Sequence, residues 1–200
     1  MPAMPPPVAD ERQAIRDYLF QQNYAYRALA FGLTDDQARA TPTVSALSIG
    51  ALIKHVTGCQ RSWMLRVAAA PEAPPADDRP ADERQAEYAD QFLMRDDETL
   101  AELVDHLEAQ NAETLRLVET ADFDAAVPVP RDAPWFPKDV EAWSVRWVLF
   151  HVIEELARHA GQGDVIRESI DGATLYELLA GLEGWPETDW LVPWKPVAVG

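Results

Sequence analysis

The sequence predicts an all-α protein, a four-helix bundle with two long connections and a short extra helix near the C-terminus. Four stretches carry apolar residues at three-, four- and seven-residue steps, the period of a helix with one face on a core. Two proline-rich stretches separate them, and strand-like alternation is scarce. With 200 residues, of which 48% are apolar, the chain has material for one sizeable core. One helical domain over residues 1–200 is therefore expected, with its core at about 10–185.

The first helix, from about residue 9 to Gly32, is marked by Ile15, Tyr18, Leu19, Tyr26 and Leu29. A second begins at Ser48, whose hydroxyl can cap free N–H groups while Leu47 and Leu52 form a staple; it carries Leu52, His55, Val56, Cys59 and Trp63. Pro, Ala and Asp dominate Pro71 to Arg84, which predicts a long exposed crossover loop. Leu100, Leu103, Val104, Leu107, Leu115 and Val118 mark a third helix ending near Thr120, with Asp96, Asp97 and Glu98 at the positive end of its dipole.

Prolines 128, 130, 134 and 137 forbid a helix between Asp122 and Pro137, so an extended connection is expected there, anchored by Trp135 and Phe136. Ser144 caps a fourth helix that runs through Trp147, Phe150, His151, Glu155, His159 and Ile166 to the stop at Asp171-Gly172. Thr174 to Leu182 forms a shorter helix. The tail after it, with Trp185, Trp190, Pro193 and Trp194, is aromatic enough to pack on the bundle or on a partner subunit.

Seventeen Lys plus Arg against 34 Asp plus Glu leave a net charge of −17. A phosphate backbone would be repelled over most of such a surface, so nucleic acid is not an expected partner. Charged residues interrupt every apolar run, which argues against a membrane span. The opening Met1 to Asp10 lacks a basic start and an apolar signal-like run, and Cys59 is the single cysteine, so a cytoplasmic location is expected.

Glu155 and His159 stand four apart on the fourth helix and share a face, while Val152, Ile153, Leu156 and Trp147 give that helix an apolar setting. An ionised carboxylate in such a setting needs a partner or a cation. His55, among Leu52, Val56, Cys59 and Trp63, also points inward. Two imidazoles and one carboxylate suit a divalent ion, zinc foremost, with nickel or iron as alternatives. Three protein ligands leave a fourth position for water or substrate, as in catalytic zinc sites; His151 or Cys59, each one turn away, could instead close it.

Cys59 by itself reads as a small core residue rather than a nucleophile. Trp63 is the aromatic expected near a pocket, His106 faces the polar side of the third helix, and Glu154 is expected to point away from the Glu155 and His159 face. His-Glu-x-x-His, the Glu-x-x-His of di-iron bundles, Cys-x-x-Cys, calcium loops, phosphate-cradling glycine loops and Gly-x-Ser-x-Gly are all absent from the sequence.

Leu47-Ser-Ile-Gly-Ala-Leu-Ile-Lys-His55 running to Trp63, and Arg146-Trp-Val-Leu-Phe-His151-Val-Ile-Glu-Glu155-Leu-Ala-Arg-His159-Ala-Gly-Gln162, resemble the DinB-like metalloprotein superfamily. The similarity continues through Asp164-Val-Ile-Arg-Glu168-Ser-Ile-Asp-Gly172. The resemblance implies one metal ligand from the second helix and two spaced by four on the fourth, mapping to His55, Glu155 and His159. The commonest set in that family is three His. A Glu in the middle position resembles mycothiol-dependent maleylpyruvate isomerase, which implies a low-molecular-weight thiol as cosubstrate and a small electrophile as acceptor. The sequence shows no counterpart of that enzyme's additional C-terminal domain, so what carries over is the metal rather than the isomerase reaction. The resemblance thus points to a metal-dependent thiol S-transferase or a related isomerase or hydrolase, alongside a non-catalytic metal-binding or stress-associated module with a closed site. A homodimer, common in the family, is a further expectation.

Overall fold

The computed structural model describes residues 4–131 and 135–196. Pro134 and the first three residues of the opening Met1–Asp10 stretch lie outside them. Among the described residues, the helices are α1 (Glu11–Ala30), α2 (Asp35–Arg39), α3 (Ile49–Ala69), α4 (Ala81–Asp90), α5 (Leu100–Thr120), α6 (Val145–Asp171) and α7 (Leu175–Glu183). Two three-residue strands, β1 (Ala126–Pro128) and β2 (Ala142–Ser144), pair antiparallel with Val127 opposite Trp143. Apart from this small hairpin the fold is all-α, as expected.

The four long helices start where local chemistry supplies a partner for their free N–H groups. Asp10 accepts from the Gln13 amide, Ser48 from Ala51, Thr99 from Glu102 and Ser144 from Trp147. Gly172, at φ 78°, ends α6 in the left-handed conformation, with its N–H bonded to the Glu168 carbonyl. α1 and α3 each pack on both α5 and α6. Leu19, Tyr26, Leu52, Leu107, Leu149 and Val152 fill the space between them.

Three expectations are corrected. Ala81 to Arg84, placed in the crossover loop, belong to α4, a helix with no buried residue that the apolar pattern could not reveal. Tyr18 is 48% exposed although it sits on the expected apolar stripe of α1, and Trp135, expected as an anchor, is 73% exposed. Phe136 does anchor the connection, with its ring edge-on to Trp143 at 5.1 Å and to Trp63 at 6.0 Å.

Several partnered buried polar groups tie the helices together. Asn23 of α1 and Gln60 of α3 exchange amide hydrogen bonds at 2.7 and 3.2 Å, and Thr114 of α5 donates to Gln60 Oε1 at 3.3 Å. Arg167, fully buried on α6, donates through Nη1 to the carbonyls of Leu29 at 2.6 Å and Phe31 at 2.9 Å, and its Nη2 pairs with Asp171 at 2.8 Å. The end of α1 is thereby fastened to α6.

The aromatic tail folds back on its own chain. Trp194 lies over the Arg167 guanidinium at 4.6 Å and edge-on to Phe31 at 5.6 Å, and its backbone N–H donates to the Glu177 carbonyl at 2.9 Å. Trp185 and Trp194 pack against a small cluster of Ala28, Ala173, Leu178 and Leu179, whereas Trp190 is exposed. Gly181 is required here, since a Cβ at that position would stand 2.2 Å from the Trp194 carbonyl oxygen.

Candidate functional site

α3 and α6 bring His55 and His159 together, and Glu155 stands one turn before His159 on α6. His55 and His159 meet edge to face with ring centroids 4.8 Å apart. Glu155 lies between two imidazoles: its Oε1 is 3.5 Å from His151 Nε2 and its Oε2 is 3.6 Å from His159 Nε2. These separations are too long for strong hydrogen bonds. The Nδ1 atoms of both His55 and His159 are buried without a hydrogen-bond partner. A buried polar atom left in that state is one that a bound ion or water would satisfy. Imidazole and carboxylate donors of this kind are compatible with a divalent cation.

Among the described residues, the group whose ligand atoms all lie within 4.8 Å of one another is His151, Glu154 and Glu155, which shares only Glu155 with the expected set. Glu154 is exposed, as the sequence suggests, yet it does not stand apart from Glu155: His151 Nδ1 reaches Glu154 Oε2 at 3.2 Å while its Nε2 faces Glu155. The spacing of His151 and Glu154, one turn apart, is the signal that carried this pairing.

Cys59 and Trp63 also border the site. The Cys59 thiol is pushed up to about 12, first by burial and then by the negative charge of Glu155, so it stays protonated as a free side chain. Trp63 forms a buried wall rather than an open pocket, edge-on to His151 at 4.8 Å. Trp147 departs from the apolar setting expected of it, being 42% exposed. Tyr26 donates from its hydroxyl to the Leu156 carbonyl at 2.7 Å and so holds α6 against α1 next to Glu155; burial keeps its pKa well above the ordinary value.

Two residues that the sequence does not single out cover His55. Phe92 stacks on its ring at 4.4 Å, and the Gln91 side chain lies across Gly58, one turn further along α3, where a Cβ would meet Gln91 Oε1 at 2.9 Å. Both follow α4 in a connection without periodicity. Gln91 also lines a cavity of about 510 Å³ between α3, α4 and α5, with Lys54, Arg61, Asp90, His106 and Gln110.

Burial above all, and the neighbouring His159, lower the His55 pKa from 6.5 to about 4. The imidazole is thus neutral at pH 7, as a metal ligand must be. In metal-free protein the unfolded chain binds a proton at His55 below about pH 6.5 that the folded chain refuses until about pH 4. Stability should therefore fall as pH drops through that window, by on the order of 1–2 kcal/mol after allowing for partial solvent screening. Urea midpoints at pH 7 and pH 5 should differ more for the wild type than for His55→Leu; equal differences would remove His55 as the cause.

Among the described residues no helix is long and apolar enough to cross a membrane. No curated protein matches the chain. A solved structure of a conserved protein from Enterococcus faecalis is similar in fold at a TM-score of 0.55 and 14% identity, over 83% of this chain and all of that one. Residues 14–172 match the family model of the mycothiol-S-transferases, and the chain therefore belongs to the mycothiol-S-transferase family.

Proposed function

We propose that the chain holds one divalent ion, zinc foremost, through His55, Glu155 and His159, and transfers a low-molecular-weight thiol, mycothiol, to a small electrophile. The observation that carries this reading is Glu155 Oε2 set 3.6 Å from His159 Nε2, with the His55 ring 4.8 Å from that of His159 and its buried Nδ1 without a partner. Two ligands of one tetrahedral ion, each at about 2.0–2.1 Å from it, stand roughly 3.3 Å apart, close to the separation of Glu155 and His159.

Such an ion lowers the pKa of a bound thiol so that the sulfur is available as thiolate at neutral pH. His151 is placed to take the thiol proton at Nε2, and Glu154 at the opposite nitrogen orients the ring and leads to solvent. Trp63 and Phe92 keep water from the flanks of the imidazoles. The new bond joins sulfur to the electrophilic carbon, and the leaving group departs with the electron pair of the bond it breaks.

A closed, non-catalytic site with His151 as fourth ligand draws on the same 3.5 Å approach of His151 to Glu155. Elemental analysis of untagged protein, followed by cobalt substitution and titration with mycothiol, separates the two. Near-stoichiometric metal and a growing cobalt–thiolate band are the expected result. Metal without the band favours the closed site, and a folded wild type that takes up no metal overturns the proposal.

A further inference from the structure

The side chains beside Glu155 indicate which electrophiles the site accepts, an inference that rests on the thiol-transfer reading above. Trp143, Trp147, His151, Glu155 and His159 recur every fourth residue and form one ridge leading from the β2 strand along α6. Trp143 and Trp147 stack at 4.9 Å with 7° between their planes, and Trp147 and His151 at 5.1 Å with 16°. Trp63 supports the stack from α3, edge-on to Trp143, Trp147 and His151. Packing alone does not account for Trp147, which keeps 42% of its surface in solvent one turn from His151.

The geometry of the stack decides what it can receive. An aromatic ring is negative on its faces and positive at its edge. Trp147 is stacked on Trp143 and on His151, so the part it presents to solvent is its rim. A rim repels a cation and attracts the face of another ring. The face of Trp63 already has a cation of the chain's own, the Arg66 guanidinium, 6.0 Å from its centroid.

We propose that the electrophile bears an aromatic ring, which lies with its face against the rim of Trp147 while its reactive carbon extends along the ridge toward Glu155. For an aralkyl halide, the thiol sulfur bonds to the side-chain carbon that carries the halogen, halide leaves with the electron pair, and the thiol proton passes to His151 and then to water. Aliphatic electrophiles gain nothing from this surface.

The test is equilibrium binding of 2,4-dinitroaniline, an unreactive aromatic probe, to the full chain by calorimetry. The probe should bind the wild type, bind Trp147→Ala about tenfold more weakly, and bind Trp147→Phe within about twofold of the wild type. Tetramethylammonium should not compete. Failure of the wild type to bind, equal binding by Trp147→Ala, or displacement by tetramethylammonium would each overturn the proposal. Binding of the probe needs neither metal nor thiol, so its failure is distinguishable from a failure of the metal-content experiment.

Discussion

Replacing Arg167 with methionine is expected to destabilise the protein by about 3–5 kcal/mol, the cost of removing one partner from a buried ion pair. Methionine fills much of the same volume but donates no hydrogen bond. The loss would leave the Asp171 carboxylate, 15% exposed, without its cation, and the Leu29 and Phe31 carbonyls without their shared donor. The tail should loosen as well, because Trp194 lies over the same guanidinium. In a thermal melt the midpoint should fall by roughly 6–20 °C. Arg167→Met/Asp171→Asn should recover part of that, since the unpaired charge is gone while the carbonyls remain unsatisfied. A single variant that melts with the wild type would mean that the buried guanidinium contributes no net stability.

The second large effect is expected at Glu155. Glu155→Gln keeps size and shape but removes the charge, so metal affinity and thiol turnover should both fall at least about 100-fold, beyond what loss of a supporting residue costs. The metal-free variant should unfold within about 1 kcal/mol of the metal-free wild type, because the carboxylate is partly solvated in the absence of an ion. Only the wild type should gain stability when metal is added, by mass action on the folded state. Glu155→His supplies a third ligand, neutral in place of the carboxylate, and should regain metal. Full turnover and stoichiometric metal in Glu155→Gln would exclude Glu155 as a ligand.

The long helices were legible because each pairs a capping residue with an apolar stripe, as Ser48 does with Leu52 and Val56, and Ser144 with Val148, Leu149 and Val152. The shared face of Glu155 and His159 was legible for the same reason: a four-residue spacing on a well-marked helix fixes it before any contact is known. α4 was hidden because it is polar on every side, which no periodicity records. α2 did carry a signal, the capping box of Thr34 and Gln37, but at five residues it had no apolar stripe to accompany it. Gln91 and Phe92 could not be read, since their place over His55 depends on where a connection crosses α3. Arg167 stands in a recognisable motif, but its role depends on carbonyls 136 and 138 positions away in the chain.

The single ridge on α6 also restricts how such a sequence can drift. An α-helix turns about 100° per residue, so inserting or deleting one residue between Trp147 and Glu155 would rotate everything beyond it by that angle. His159 would swing away from His55, and Trp147 would no longer lie on the ridge of Glu155, although each side chain survived unchanged. Substitutions along α6 can be absorbed one at a time, whereas a change in its length would separate the parts of the site together. Length variation among related chains should therefore collect in the connections, such as residues 71–80 and 129–141, and be absent from the helix between residues 147 and 159.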